Sequence, residues 1–144
     1  MPLRAGASEK KFKAVFLDIG LVSCINGFHA DRKIDKQNFT SGFNGSMAKQ
    51  FVGQELKAQS DNLFYWARDA RGSSAEVNYL LSRQDRIIPI EVKSGKSGKL
   101  KSLHLLLEKY KDIETAYVLT KDKYGEIPKQ KLKFLPLVHA GKLL

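Results

Sequence analysis

Residues 74–93 restrict the fold of this chain more than any other stretch. Residues 75–81 are β-branched, aromatic and aliphatic, and residues 87–92 are almost wholly apolar. The polar residues Ser82, Arg83, Gln84, Asp85 and Arg86 separate the two runs. Such a pattern predicts two strands joined by a short turn. Strand side chains alternate between faces, so Glu76 and Asn78 share one face of their strand, as do Glu91 and Lys93 of theirs. A hairpin of suitable register brings both polar pairs to one side of a sheet.

The other segments follow the same patterning. Residues 12–17 read as a strand closed by a turn at Asp18, Ile19 and Gly20, and residues 21–28 as a short helix stopped at Asn26 and Gly27. Residues 29–44 read as loop or short helix. Residues 46–59 form a helix with Ser46 as N-cap and an apolar stripe of Met47, Ala48, Phe51, Val52 and Leu56. Glu55 falls inside that stripe and Lys49 at its edge. Residues 63–67 are an aromatic strand followed by a turn over 68–73. Residues 100–110 are a second helix, with Leu103, Leu106, Leu107 and Tyr110 at helical spacing. A strand over 115–120, a loop through Gly125 and Pro128, a last strand near 132–135 and a tail complete the chain.

Among 144 residues, 42% are hydrophobic and 28% charged, which suits one soluble domain over residues 12–144 behind a flexible start at residues 1–11. No apolar run reaches the roughly 18 residues of a membrane span, and the start lacks an apolar signal core, so a cytoplasmic address is expected. Cys24 is the only cysteine, which excludes an internal disulfide and a cysteine metal cluster. His29, His104 and His139 lack metal-ligand spacing, and Trp66 and Tyr65 read as core. The Gly95-Lys96-Ser97 tripeptide follows a strand, but a P-loop requires glycine where Ile90 stands.

Lysine and arginine total 25 against 15 acids, a formal charge of +10. Lys93, Lys96, Lys99 and Lys101 form a run without an acid, and five more lysines lie between residues 121 and 133. A polyanion is the expected partner, with DNA favoured over RNA and no membrane.

The order helix, three strands, helix, strand, with Glu91-x-Lys93 closing the third strand, resembles the PD-(D/E)XK nuclease superfamily. More closely, it resembles the C-terminal domain of a bacterial and archaeal AAA+ ATPase family of unknown function. The resemblance rests on Phe16-Leu17-Asp18-Ile19-Gly20-Leu21, Gly45 through Leu56, Leu63-Phe64-Tyr65-Trp66, Ala75-Glu76-Val77-Asn78-Tyr79 and Pro89 through Gly95. It implies an α/β fold with a restriction-endonuclease-like core, a mixed β-sheet flanked by helices. It also implies an AAA+ ATPase partner. In active members a helix glutamate, a strand aspartate and the glutamate of Glu-x-Lys surround Mg²⁺, and the lysine steadies the attacked phosphate.

Carried onto this chain, the helix glutamate falls on Lys49 and the aspartate on Asn78, while Glu91 and Lys93 match. A lysine about 4 Å from a divalent ion is repelled by roughly 8 kcal/mol at an effective dielectric near 20. Glu76 and Glu55 are the candidate substitute acids, and Glu91 and Glu76 the ligands if a metal binds. The implied function is an inactive nuclease-fold module, without cofactor, that binds nucleic acid or docks on the ATPase. Its alternatives are an active Mg²⁺-dependent DNA nuclease and a protein-interaction module without nucleic-acid binding. Lys49, placed in the first turn where a glutamate would complete a capping box, is expected to pair with Glu91 or Glu76 in the volume of the lost metal.

Overall fold

The computed structural model describes residues 3–27, 41–70, 73–94 and 99–143. It is an α/β fold with one six-stranded mixed sheet and a helical layer on each face. The strands are β1 (Phe64–Ala70), β2 (Ser73–Arg83), β3 (Arg86–Val92), β4 (Ala116–Thr120), β5 (Gly125–Ile127) and β6 (Leu132–Pro136), in the order β1-β2-β3-β4-β6-β5. The helices are α1 (Ile19–Ile25), α2 (Ser41–Gln59) and α3 (Lys101–Lys109).

The expected hairpin is present. Gln84 and Asp85 both adopt positive φ (48° and 60°), so a two-residue turn of the primed kind joins β2 to β3, tighter than the polar run suggests. The connection from β3 to β4 runs through α3, as a parallel pairing demands. Leu103, Leu106 and Leu107 of α3 pack on Trp66, Ala75, Val77, Leu80, Ala116 and Val118. Each leucine contributes about 1.5–3 kcal/mol by burial. On the opposite face Ala48, Val52 and Leu56 of α2 pack on Tyr79, Leu81, Ile90, Val92 and Leu119.

Several boundaries differ from the sequence reading. Residues 12–17 pair with no strand among the described residues; the Phe16 and Ile19 backbone is held by glutamine side chains of α2. Helix α1 starts at Ile19, two residues early, because Asp18 caps it by accepting from the Leu21 N–H at 3.1 Å. Helix α2 starts at Ser41, so Ser46 is not its N-cap and Lys49 lies beyond the first turn; the capping-box argument for Lys49 does not apply. Of the segment read as loop or short helix, residues 41–44 are helical and 29–40 lie outside the described residues. β5 replaces part of the expected loop through Gly125. The tail forms a 3-10 turn, Leu137–Lys142, whose buried Ala140 packs with the α2 cluster. Leu3, in a 3-10 turn over Leu3–Gly6, rests against the α3 cluster.

β2 is not a regular strand. Phe64 pairs with Leu80 but Trp66 pairs with Val77, so two steps along β1 match three along β2. The extra residue is a β-bulge, and it shifts the phase of the strand. Ala75 and Val77 face α3, yet so does Leu80, while Tyr79 and Leu81 face α2. The break falls at Asn78, so the strict alternation that placed Glu76 and Asn78 on one face does not hold through this position.

Candidate functional site

At the end of the β2–β3 ladder the backbone rungs give way to side chains. The last regular pair is Tyr79 with Ile90. One step further, the Val92 N–H donates to Asn78 Oδ1 at 2.8 Å, and the Asn78 N–H donates to Glu91 Oε2 at 3.3 Å. Asn78 and Glu91 are both buried. The bulge thus turns the Asn78 carboxamide toward the neighbouring strand, where it satisfies a buried N–H that no strand partner reaches. Glu91 Oε1 receives the ammonium of Lys93 at 2.9 Å. Asn78, Glu91 and Lys93 are therefore brought together, whereas Glu76, which the sequence reading placed with them, pairs with Lys13.

The other candidates lie elsewhere. Ile90 and Val92 face α2, so alternation directs Glu91 and Lys93 away from that helix. Lys49 of α2 is exposed, and its carbonyl accepts from the Tyr79 hydroxyl at 2.7 Å. The expected ion pair of Lys49 with Glu91 or Glu76 is not formed: Lys93 holds Glu91 and Lys13 holds Glu76. Glu55 is half-buried, and its carboxylate lies against Gly141 of the C-terminal turn, where an added Cβ would come within 2.8 Å of Oε2. Among the described residues no three His, Cys, Asp or Glu side chains are placed to hold a metal.

Lys13 is the residue that sequence reasoning missed. Its ammonium reaches Glu76 Oε1 at 2.5 Å and the Asn78 carbonyl at 3.3 Å, and stands 4.9 Å from the Tyr65 ring centre and 5.6 Å from that of Tyr79. A lysine does sit on this acidic position, but it comes from the N-terminal segment rather than from α2. Burial, with the Glu76 charge second, pushes the Tyr79 hydroxyl up to about 12.

Of the lysines expected to meet phosphates, Lys99 and Lys101 are exposed at the start of α3, Lys93 is committed to Glu91, and Lys96 lies outside the described residues. Among the described residues no side chain caps α3 and no acid stands in its first turn, so the positive end of its dipole adds to these cations.

The sequence model of a family described as "Domain of unknown function (DUF4143)" matches residues 44–139. The chain belongs to this family. The DUF4143 match takes in most of α2, the six strands and α3, and so includes Asn78, Glu91 and Lys93 but not the segment carrying Lys13. No match was found among curated proteins or among solved structures. No helix among the described residues is long and apolar enough to cross a membrane.

Proposed function

We propose that this DUF4143 chain is a nuclease-fold module of the PD-(D/E)XK kind that binds nucleic acid without cutting it, in association with an AAA+ ATPase. The order α2-β1-β2-β3-α3-β4, with Glu91 and Lys93 closing β3, supports the kinship. The observation that carries the reading is the state of Glu91. One oxygen accepts from the Asn78 N–H and the other from Lys93. Asn78 Oδ1 is spent on the Val92 N–H and Glu76 on Lys13.

Mg²⁺ needs hard oxygen ligands in near-octahedral array, with carboxylate charge to offset its own. These residues do not fit it. The two carboxylates are already neutralised by lysines, and Lys49 brings a further positive charge on α2 rather than an acid. The exposed Lys99 and Lys101 at the start of α3, where no acid stands in the first turn, support phosphate binding.

Exposed apolar side chains favour a second reading, protein docking. Phe12 (86%), Leu17 (88%) and Ile25 (73%) stand largely in solvent along the N-terminal segment and α1. A duplex cleavage assay in Mg²⁺ or Mn²⁺ tests the proposal. No metal-dependent product is expected from the purified chain. Cleavage that disappears on Glu91→Ala would assign an active nuclease instead.

A further inference from the structure

The residues around Lys13 describe a ligand as well as a contact. The segment holding it lies against α2 and β2 without joining the sheet. Gln50 reads the Phe16 backbone at two points: its Oε1 accepts from the N–H at 3.1 Å, and its Nε2 donates to the carbonyl at 2.8 Å. Gln54 Oε1 accepts from the Ile19 N–H at 2.9 Å. A carboxamide that bonds both N–H and C=O of one residue does what a neighbouring strand would do, and it does so whatever the side chain of that residue. Specificity enters at two other places. Val15 packs on the α2 cluster, close to Gly53. Lys13 inserts its ammonium between Glu76, the Asn78 carbonyl and the rings of Tyr65 and Tyr79. A carboxylate, a carbonyl and two π faces around one cation are a recognition set for an alkylammonium group.

The outward side of the same segment gains little from its position. Phe12 is 86% exposed, Phe16 48% and Leu17 88%. The segment is thus retained by backbone bonds, one lysine and Val15 rather than by its larger apolar residues, and another chain with a lysine two residues before a β-branched residue could make the same contacts.

We infer that the surface formed by Gln50, Gln54, Glu76, Tyr65 and Tyr79 is a docking site for an extended, lysine-bearing peptide of a partner protein, and that residues 13–19 occupy it in cis as an exchangeable strap. A tethered occupant competes at a local concentration of about millimolar, so an outside peptide binds the intact chain weakly and the strap-disabled chain well.

The test uses the full chain and a fluorescent synthetic peptide of residues 10–20. In the chain, Lys13→Met with Phe16→Pro removes the ammonium and the N–H that Gln50 accepts, while the docking surface is untouched. The peptide should bind this variant at least tenfold more tightly than wild type. Adding Glu76→Gln to the variant, or Lys13→Met to the peptide, should each cost tenfold or more. Equal affinity for intact and strap-disabled chains, or indifference to the peptide lysine, would overturn the inference. Should the double variant fail to fold, hydrogen exchange on the wild type decides. The Phe16 and Ile19 amides should exchange by local opening at least tenfold faster than the Val92 amide. Equal rates would make the segment a fixed part of the fold.

Discussion

Asn78 shows how one side chain can close a strand end. Its Oδ1 is the acceptor for the buried Val92 N–H, so Asn78→Ala leaves that donor unpaired as well as removing a hydrogen bond. The expected cost is about 1–3 kcal/mol in urea-induced unfolding; a loss below about 0.5 kcal/mol would mean that water or a backbone shift replaces it. Tyr79, on the next position, makes a pH-dependent contribution. Its hydroxyl is pushed up to about 12 in the folded protein against 10.0 ordinarily. The folded state therefore holds this proton more tightly, and its advantage is complete below pH 10. Stability falls as pH rises from about 10 to 12, by up to about 1.4 kcal/mol per unit. Tyr79→Phe lacks this proton, so the stability gap between wild type and variant should narrow between pH 9 and pH 11 in paired urea titrations. At this scale the hairpin was legible and set Asn78 near Glu91 and Lys93, but the face of Asn78 was not, because the bulge breaks the period-two alternation there. The sequence hid Lys13, which is half-buried while Phe12 and Phe16 of the same segment are exposed. Hydrophobicity alone predicts the reverse for these three.

Helix α2 carries its most informative residue at Gly53. Glycine inside a helix costs about 0.8–1.0 kcal/mol relative to alanine. An added Cβ would lie 2.5 Å from the Tyr79 hydroxyl and 3.2 Å from Val15. The gap lets Tyr79 reach the Lys49 carbonyl and lets the strap lie close to the helix. Gly53→Ala should accordingly destabilise the chain by about 1–3 kcal/mol through overpacking, despite the gain in helix propensity; stabilisation in thermal unfolding would contradict the packing described here. Long amphipathic or apolar segments were legible: β2, β3, α3 and the end of α2 fall within a residue or two of where pattern places them. The bulge in β2 was not, because an extra residue leaves composition unchanged and shows only against the β1 partner. The start of α2 at Ser41 was obscured by Gly42 and Gly45, which weaken a helical reading. β5, three residues long, pairs only with β6 and offers too short a run to show alternation.

Across the whole molecule, the charge of +10 divides into committed and exposed cations. Lys13, Lys93 and Lys133 are in ion pairs, and Lys131 donates to the carbonyls of Lys111 and Ile113. Lys99 and Lys101 remain exposed at one end of α3, with Lys121, Lys123 and Lys129 exposed elsewhere. The engagement of Lys93 lowers the number of phosphates that the run from Lys93 to Lys101 can neutralise from about four to about three. Counterion release then sets a log–log dependence of duplex affinity on salt of about −2.7 rather than about −3.6. The most direct test of the central claim is this slope, measured for duplex DNA binding in EDTA by fluorescence anisotropy across a range of salt concentrations. The account predicts metal-independent binding with a slope near −2.7, made shallower by Lys99→Ala with Lys101→Ala; a flat salt response, or no binding at low salt, would contradict it.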